Sequence, residues 1–209
     1  MIDGVLERLD DEIARRLVHV STSAVPLSYV FLDEVSWRVV QLFLGLAVLA
    51  ALGLESVRLY VGLDWVIFDR LTRRYEQENL AGYFLGAFGL AVVAFAFTPP
   101  GSEPLVDGLV ASEAAVPAML MLTIADPFSG LLSSGELRPA KQAWVLLATF
   151  GLATLLAAPF VPTGAAVCGG ITTTLADGIK PVVRGYVIDD NLTIPIAAAA
   201  AMEGALAIT

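Results

Sequence analysis

Apolar residues run through this chain in seven segments, at about 17–32, 37–54, 79–98, 105–124, 143–161, 164–178 and 192–209, separated by short polar stretches. A helix needs about 20 residues to cross the hydrocarbon core of a bilayer. The pattern therefore predicts an all-α polytopic membrane protein with about seven transmembrane helices. The first and sixth segments are short. Pro26 interrupts the first, and Gly169, Gly170 and Thr172 to Thr174 crowd the sixth. Small and polar residues of this kind suit a helix packed among other helices better than one facing lipid. Residues 1–16 precede the first run as a charged segment, and residues 17–209 form a single integral membrane domain with no soluble domain expected. The opening Met1 to Glu12 is acidic, the wrong start for a cleavable signal peptide.

Composition agrees with the pattern. The chain is 57% hydrophobic, with a mean hydropathy of +0.76, well above the level of a soluble domain. Net charge is −9, and only Lys141 and Lys180 are lysines, against ten arginines. An acidic, lysine-poor, alanine-rich membrane protein is what a high-salt cytoplasm such as that of haloarchaea favours; an acidic protein of a high-GC bacterium is the alternative. The acidic balance argues against a nucleic-acid partner. Cys168 is the single cysteine, so no internal disulfide forms, and its Gly-rich apolar run reads as packing.

The basic residues set the orientation. With the N-terminus cytoplasmic, eleven of the twelve basic residues fall on the cytoplasmic side, and only Arg38 falls outside. This positive-inside asymmetry puts the C-terminus outside. It puts the stretches around 125–142 and 177–191 on the same, cytoplasmic face of the cell membrane. Residues 55–78 interleave apolar with basic positions and are expected either to lie along the inner leaflet or to form a plain solvated linker helix.

Two polar clusters carry candidate chemistry. Ala125 to Gln142 opens on Asp126 and continues through Gly130, Ser133, Ser134 and Gly135 to Arg138 and Lys141. Small residues let a backbone approach phosphate, and the two cations neutralise it. The second cluster is Asp189-Asp190-Asn191 at the start of the last apolar run, with Asp177, Lys180 and Arg184 upstream. Helix capping by Asn191 or Thr193, with the two acids complementing the helix dipole, explains one acid there but does not require two acids and an amide in succession. Since topology puts both clusters on one face, Asp126, Asp189 and Asp190 are expected to share one Mg²⁺, with Arg138 and Lys141 on nucleotide phosphates. Asp126 or Asp177 would accept a substrate proton. His19, the only histidine, shares a helical face with Arg15 and reads either as an interfacial side chain or as a phosphate ligand. Glu113 and Glu203 fall inside apolar segments, where acids are functional candidates by default.

Three stretches, in order, resemble the CTP-dependent polyprenol (dolichol) kinases, a family similar to the CDP-diacylglycerol synthases. Arg15-Arg-Leu-Val-His19 is similar to the family's basic R-K-x-x-H motif. Asp126 to Lys141 resembles its acid, glycine and lysine segment. Asp177 followed by Ile188-Asp-Asp-Asn-Leu-Thr-Ile-Pro195 resembles its E-x(n)-DDNL-x-[IV]-P ending, the most specific of the three. The chain departs from the family pattern at Ala125, at Gln142-Ala143-Trp144 and at Asp177. The resemblance implies a membrane catalytic domain that phosphorylates a polyprenol hydroxyl with CTP and Mg²⁺. It implies nucleotide and phosphate contacts from His19, Ser134, Gly135, Arg138, Lys141, Lys180 and Arg184, and catalytic roles for Asp126, Asp177, Asp189, Asp190 and Asn191. A cytidylyltransferase making a CDP-lipid, or a phytol or geranylgeraniol kinase, shares the same span count and clustered acids. A small transporter or non-catalytic membrane subunit is the alternative from another class; a transporter concentrates its polar residues near the midplane.

Overall fold

The computed structural model describes residues 13, 15–61, 72, 79–133, 141–179, 182–183 and 186–208. It is mostly helical. Residues 15–21 are helical and end where the Ser21 and Thr22 hydroxyls bond back to the carbonyls of Val18 and His19. After that turn comes α1, Ala24–Phe31. Pro26 is buried in its first turn, where no backbone N–H is needed, so the break in the first apolar segment falls at Thr22 and Ser23 rather than at the proline.

Helix α2 spans Trp37–Ser56 and continues as a π turn over Val57–Val61. Its two faces differ sharply. Trp37, Val40, Gln41, Leu44, Ala51 and Glu55 are buried, whereas Val39, Leu42, Phe43, Leu46 and Leu49 are exposed. Large apolar side chains repeated on an exposed helical face are what a lipid-facing helix presents. Helix α3 is Gly82–Ala96 and leads into β1, Phe97–Thr98, which pairs in parallel with β2, Val110–Ala111.

The fourth apolar segment is corrected by the structure. Residues 105–114 are not helical: they hold β2 and the turn that starts α4, Ala115–Leu120. Glu113 is therefore an exposed turn residue, not an acid inside a span. The helix then runs beyond the predicted end at 124, through a π turn at Met121–Ala125 and on into α5, Asp126–Leu132. The wide turn precedes Pro127, which can neither donate to the helix nor tolerate the usual carbonyl at its back. Helices α6 (Ala143–Ala157), α7 (Thr163–Gly178) and α8 (Asp190–Leu206) match the last three apolar runs. A hairpin of β3 (Val182–Val183) and β4 (Tyr186–Val187) separates α7 from α8.

Two helices are long and apolar enough to cross a membrane, Trp37–Val61 and Ala115–Leu132. Gly82–Ala96 and Ala143–Ala157 are apolar but shorter. The α4–α5 helix is central: every residue from Ala115 to Thr123 is buried. Helix α8 packs on α7 and α3, α7 on α6, and α3 on α2. Glycines permit the close crossings. A Cβ at Gly169 would come within 2.9 Å of Met202 and Met121, and one at Gly89 within 3.0 Å of the Asn191 carbonyl and Pro195.

One buried side chain ties the loop between β1 and β2 to the helices. The Gln41 amide donates to the carbonyls of Ala94 (3.0 Å) and Val106 (2.9 Å), and its oxygen accepts from the N–H groups of Leu105 (2.7 Å) and Val106 (3.1 Å). Trp37 Nε1 donates to the same Ala94 carbonyl at 3.1 Å. Gln41→Leu keeps the volume but leaves buried backbone groups without their partner, at a cost of about 2–3 kcal/mol. A drop of roughly 5–10 °C in melting temperature in detergent is expected. A wild-type melting curve for Gln41→Leu would show that this amide does not hold the loop.

Candidate functional site

The polar centre is assembled from helix ends. Asp126 opens α5, Asp177 lies in the last turn of α7, and Asp190 opens α8. Each offers a carboxylate oxygen, and these oxygens all lie within 4.8 Å of one another. Asp177 and Asp190 are buried and Asp126 nearly so. Asp190 sits in the first turn of α8, where the helix dipole favours a negative charge, whereas Asp126 lies within the continuous α4–α5 helix, its own N–H bonded to the Met121 carbonyl.

The acid that joins Asp126 and Asp190 is Asp177, not the expected Asp189. Asp189 is the N-cap of α8: its Oδ1 accepts from the Asn191 backbone N–H at 3.0 Å and from Asn191 Nδ2 at 2.6 Å. The helix begins two residues earlier than the apolar run, so the cap is Asp189 rather than Asn191 or Thr193. Adjacent residues in an extended-to-helical transition point in different directions, so only one of the Asp-Asp pair enters the cluster.

Asp177 is held by two partners. Lys141 Nζ donates to its Oδ1, and the Ser129 hydroxyl donates to its Oδ2 at 2.5 Å. Lys141 also donates to Ser129 Oγ at 2.9 Å. Lys141 is thus inside the acidic centre, and Ser129 is a site residue the sequence reading missed. The signal was present in Asp126-x-x-Ser129, a spacing that shares a helical face, but the segment reads as a loop once the helix is ended at 124.

The N-terminal helical residues close the cluster from another side. His19 Nδ1 lies 3.5 Å from Asp126 Oδ2. Arg16 Nη1 donates to the Pro127 carbonyl at 3.2 Å, and its guanidinium lies on the α5 backbone where Gly130 has no side chain. A Cβ at Gly130 would fall 1.8 Å from Arg16 Nη1. The space that Gly130 leaves is taken by the end of the Arg16 side chain. Ser134, Gly135, Arg138, Lys180 and Arg184 lie outside the described residues.

A second buried polar group was not anticipated. Glu55 accepts from Arg58 Nε (3.0 Å) and Nη2 (2.6 Å), from the Ala81 N–H (3.2 Å) and from the Tyr83 hydroxyl. Arg58 Nη2 also donates to the Asn79 carbonyl at 2.5 Å. Glu55 and Arg58 therefore face inward, joining α2 to the start of α3, and not the basic surface expected of residues 55–78. The remainder of that stretch, apart from 56–61, Thr72 and 79, is outside the described residues.

A divalent cation fits the three acids. Opposite ligands of Mg²⁺ or Ca²⁺ sit about 4 to 5 Å apart, the span of this cluster. Lys141 supplies one positive charge to three carboxylates, and two further charges bring the sum to neutral. Each carboxylate has about four lone-pair sites, so the bonds that Asp177 accepts from Lys141 and Ser129 leave room for a metal. Losing a second-sphere partner costs metal affinity roughly 10–100-fold, and losing a ligand should cost at least as much. Mn²⁺ titration followed by electron paramagnetic resonance should show that loss in Asp126→Asn, Asp177→Asn and Asp190→Asn. Asp189→Asn, which preserves an N-cap, should titrate as wild type. Equal loss in Asp189→Asn would put its carboxylate among the ligands.

No protein-family model matches the chain, and no curated protein or solved structure is significantly similar to it.

Proposed function

We propose that this chain is a membrane phosphotransferase that phosphorylates a long-chain polyprenol with CTP. The observation that carries the reading is the convergence of Asp126, Asp177 and Asp190 beside Lys141, Ser129 and His19. Buried carboxylates with a lysine among them suit phosphoryl transfer, which asks a protein mainly for positioning and charge neutralisation. The family resemblance of Arg15 to His19, Asp126 to Lys141 and Asp189 to Pro195 supports the choice of CTP and a lipid alcohol.

A divalent cation held by Asp126, Asp177 and Asp190 would supply charge neutralisation for the polyphosphate. The chain's own residues do the rest. Ser129 and Lys141 fix the Asp177 carboxylate, and Lys141 adds positive charge near the transferring group. His19 sets the Asp126 side chain. In the reaction, the alcohol oxygen bonds to the terminal phosphorus while the bond from that phosphorus to its bridging oxygen breaks, releasing CDP. The hydroxyl proton passes to Asp126 or Asp177. Arg138, Lys180 and Arg184 are placed on the nucleotide by resemblance.

The membrane arrangement we propose has seven spans, a cytoplasmic N-terminal segment at 1–16 and an external C-terminus. It is supported by the distribution of basic residues and by the two helices long enough to cross. The shorter apolar helices cross as parts of a packed bundle, where neighbours rather than lipid cover their ends.

Purified protein incubated with labelled CTP, Mg²⁺ and polyprenol should yield a polyprenyl phosphate. A CDP-linked lipid instead would assign a cytidylyltransferase, and no lipid product from any alcohol would remove the enzyme reading. Lys141→Ala should lower both CTP affinity and turnover, since a charge-assisted phosphate contact is worth roughly 1.5–3 kcal/mol, about ten- to a hundredfold. Unchanged CTP dependence would move the nucleotide away from this lysine. For topology, cysteines introduced at Ser134 and Gly185 in a Cys168→Ala background should resist an impermeant thiol reagent added to intact cells. Labelling of either from outside would overturn the orientation.

A further inference from the structure

A partly enclosed cavity of about 360 Å³ lies beside the carboxylate cluster. Two of its lining residues adjoin the acids directly. His19 reaches Asp126, and Asn191 follows Asp190 at the start of α8. Most of the remaining wall is apolar, with Phe43, Leu44, Ala47 and Leu90 prominent. Among the described lining residues, Arg15 alone is an arginine, lysine or carboxylate. A polyanionic nucleotide would lose hydration against such walls without recovering it, whereas a hydrocarbon chain with a single polar end matches both parts.

The cavity also has a neighbour. Ala24, Val25 and Phe43 line it and equally line a second, wholly more apolar cavity of about 310 Å³ whose wall includes Val39 and Val40. Phe43 and Val39 belong to the exposed apolar face of α2. A continuous run of surfaces thus leads from the acids, past Phe43, to the side of α2 that suits lipid.

We propose that the first cavity binds the hydroxyl end of a long-chain lipid alcohol and that the second carries its chain out to the bilayer. This rests on reading the cluster as a lipid-alcohol kinase. An apolar cavity of about 150 Å³ holds one benzene, so a space of this size takes roughly two to three five-carbon isoprenoid units. The protein therefore reads the hydroxyl-proximal units of its substrate and is indifferent to length beyond those that reach the second cavity.

Photolabelling of the purified full chain in lipid nanodiscs, with a diazirine analogue of geranylgeraniol, tests this. Crosslinked peptides should come from α2 and α3 around Phe43, Ala47 and Leu90. Ala47→Trp fills the first cavity and should lower labelling by roughly tenfold, and Ala87→Leu, a smaller change, should lower it in the same direction. Val39→Trp narrows only the second cavity. It should weaken competition by a long polyprenol while leaving competition by farnesol unchanged. Competition by geranylgeraniol but not by oleyl alcohol assigns the site to isoprenoids, and the reverse assigns it to unbranched alcohols. Competition by neither, labelling away from the residues that line the two cavities, or wild-type labelling of folded, monodisperse Ala47→Trp and Ala87→Leu overturns the proposal. Equal effects of Val39→Trp on farnesol and the long polyprenol would overturn the outward path. Labelling in the cavity by a wild-type protein that makes no lipid phosphate would sink the kinase reading and leave the cavity assignment standing.

Discussion

Three carboxylates buried within 4.8 Å of one another need protons, positive charge or hydrogen-bond donors to offset their repulsion and lost hydration. That constraint organises this molecule. Lys141 and Ser129 meet at Asp177 and so pin the start of α6 and the face of α5 to the end of α7. Asp190 arrives at the first turn of α8, where the helix end favours an acid, and Asp126 enters from within the continuous α4–α5 helix. The end of α7 and the start of α8 meet that helix at this point, and the N-terminal residues are drawn onto it through Arg16 and His19.

The sequence makes some of this legible because the signals are local. Apolar runs mark α2, α3, α6, α7 and α8, since burial or lipid contact requires the same residue types all along a helix. The acids at 126, 177 and 190 stand out because acids are costly at the edge of such runs. What failed was long-range or directional. Asp189 and Asp190 are indistinguishable by type, and only the backbone transition into α8 decides which one caps and which one enters the cluster. Ser129 was hidden because Asp126-Pro127 looks like the end of a helix, while a π turn carries the helix through it. Gln41 and Glu55 gave no signal at all. A polar residue in an apolar run rarely shows its partners in the sequence: those of Gln41 lie more than 50 residues away, and of Glu55's partners only Arg58 is local, at i+3, while Ala81 and Tyr83 lie 26 and 28 residues on.

Those two buried side chains play the same physical role at different ends of α2. Near its start, Gln41 satisfies backbone groups of the loop beyond β1. Near its end, Glu55 gathers Arg58, Tyr83 and the Ala81 N–H. Apolar packing alone fixes the register of one apolar helix against another only weakly, because burial of apolar surface has no direction. Directional polar contacts at both ends of α2 set it against α3. This pairing also sets the walls of the larger cavity, which takes Phe43, Leu44 and Ala47 from α2 and Tyr83, Ala87 and Leu90 from α3.

The shortness of several helices follows from the same requirement. A helix that crosses the whole hydrocarbon core presents its termini to water, where they need nothing from the protein. Here α7 ends and α8 begins at the buried cluster, and the first-turn N–H of Asn191 is satisfied by the Asp189 side chain. Gly89, Gly169 and Gly170 leave room for the close approach of neighbouring helices around it. The outer face of α2, in contrast, is long, regular and apolar. The same helix contributes Phe43, Leu44 and Ala47 to the larger cavity, so one element carries both an exposed apolar face and part of the wall that His19 and Asn191 also line.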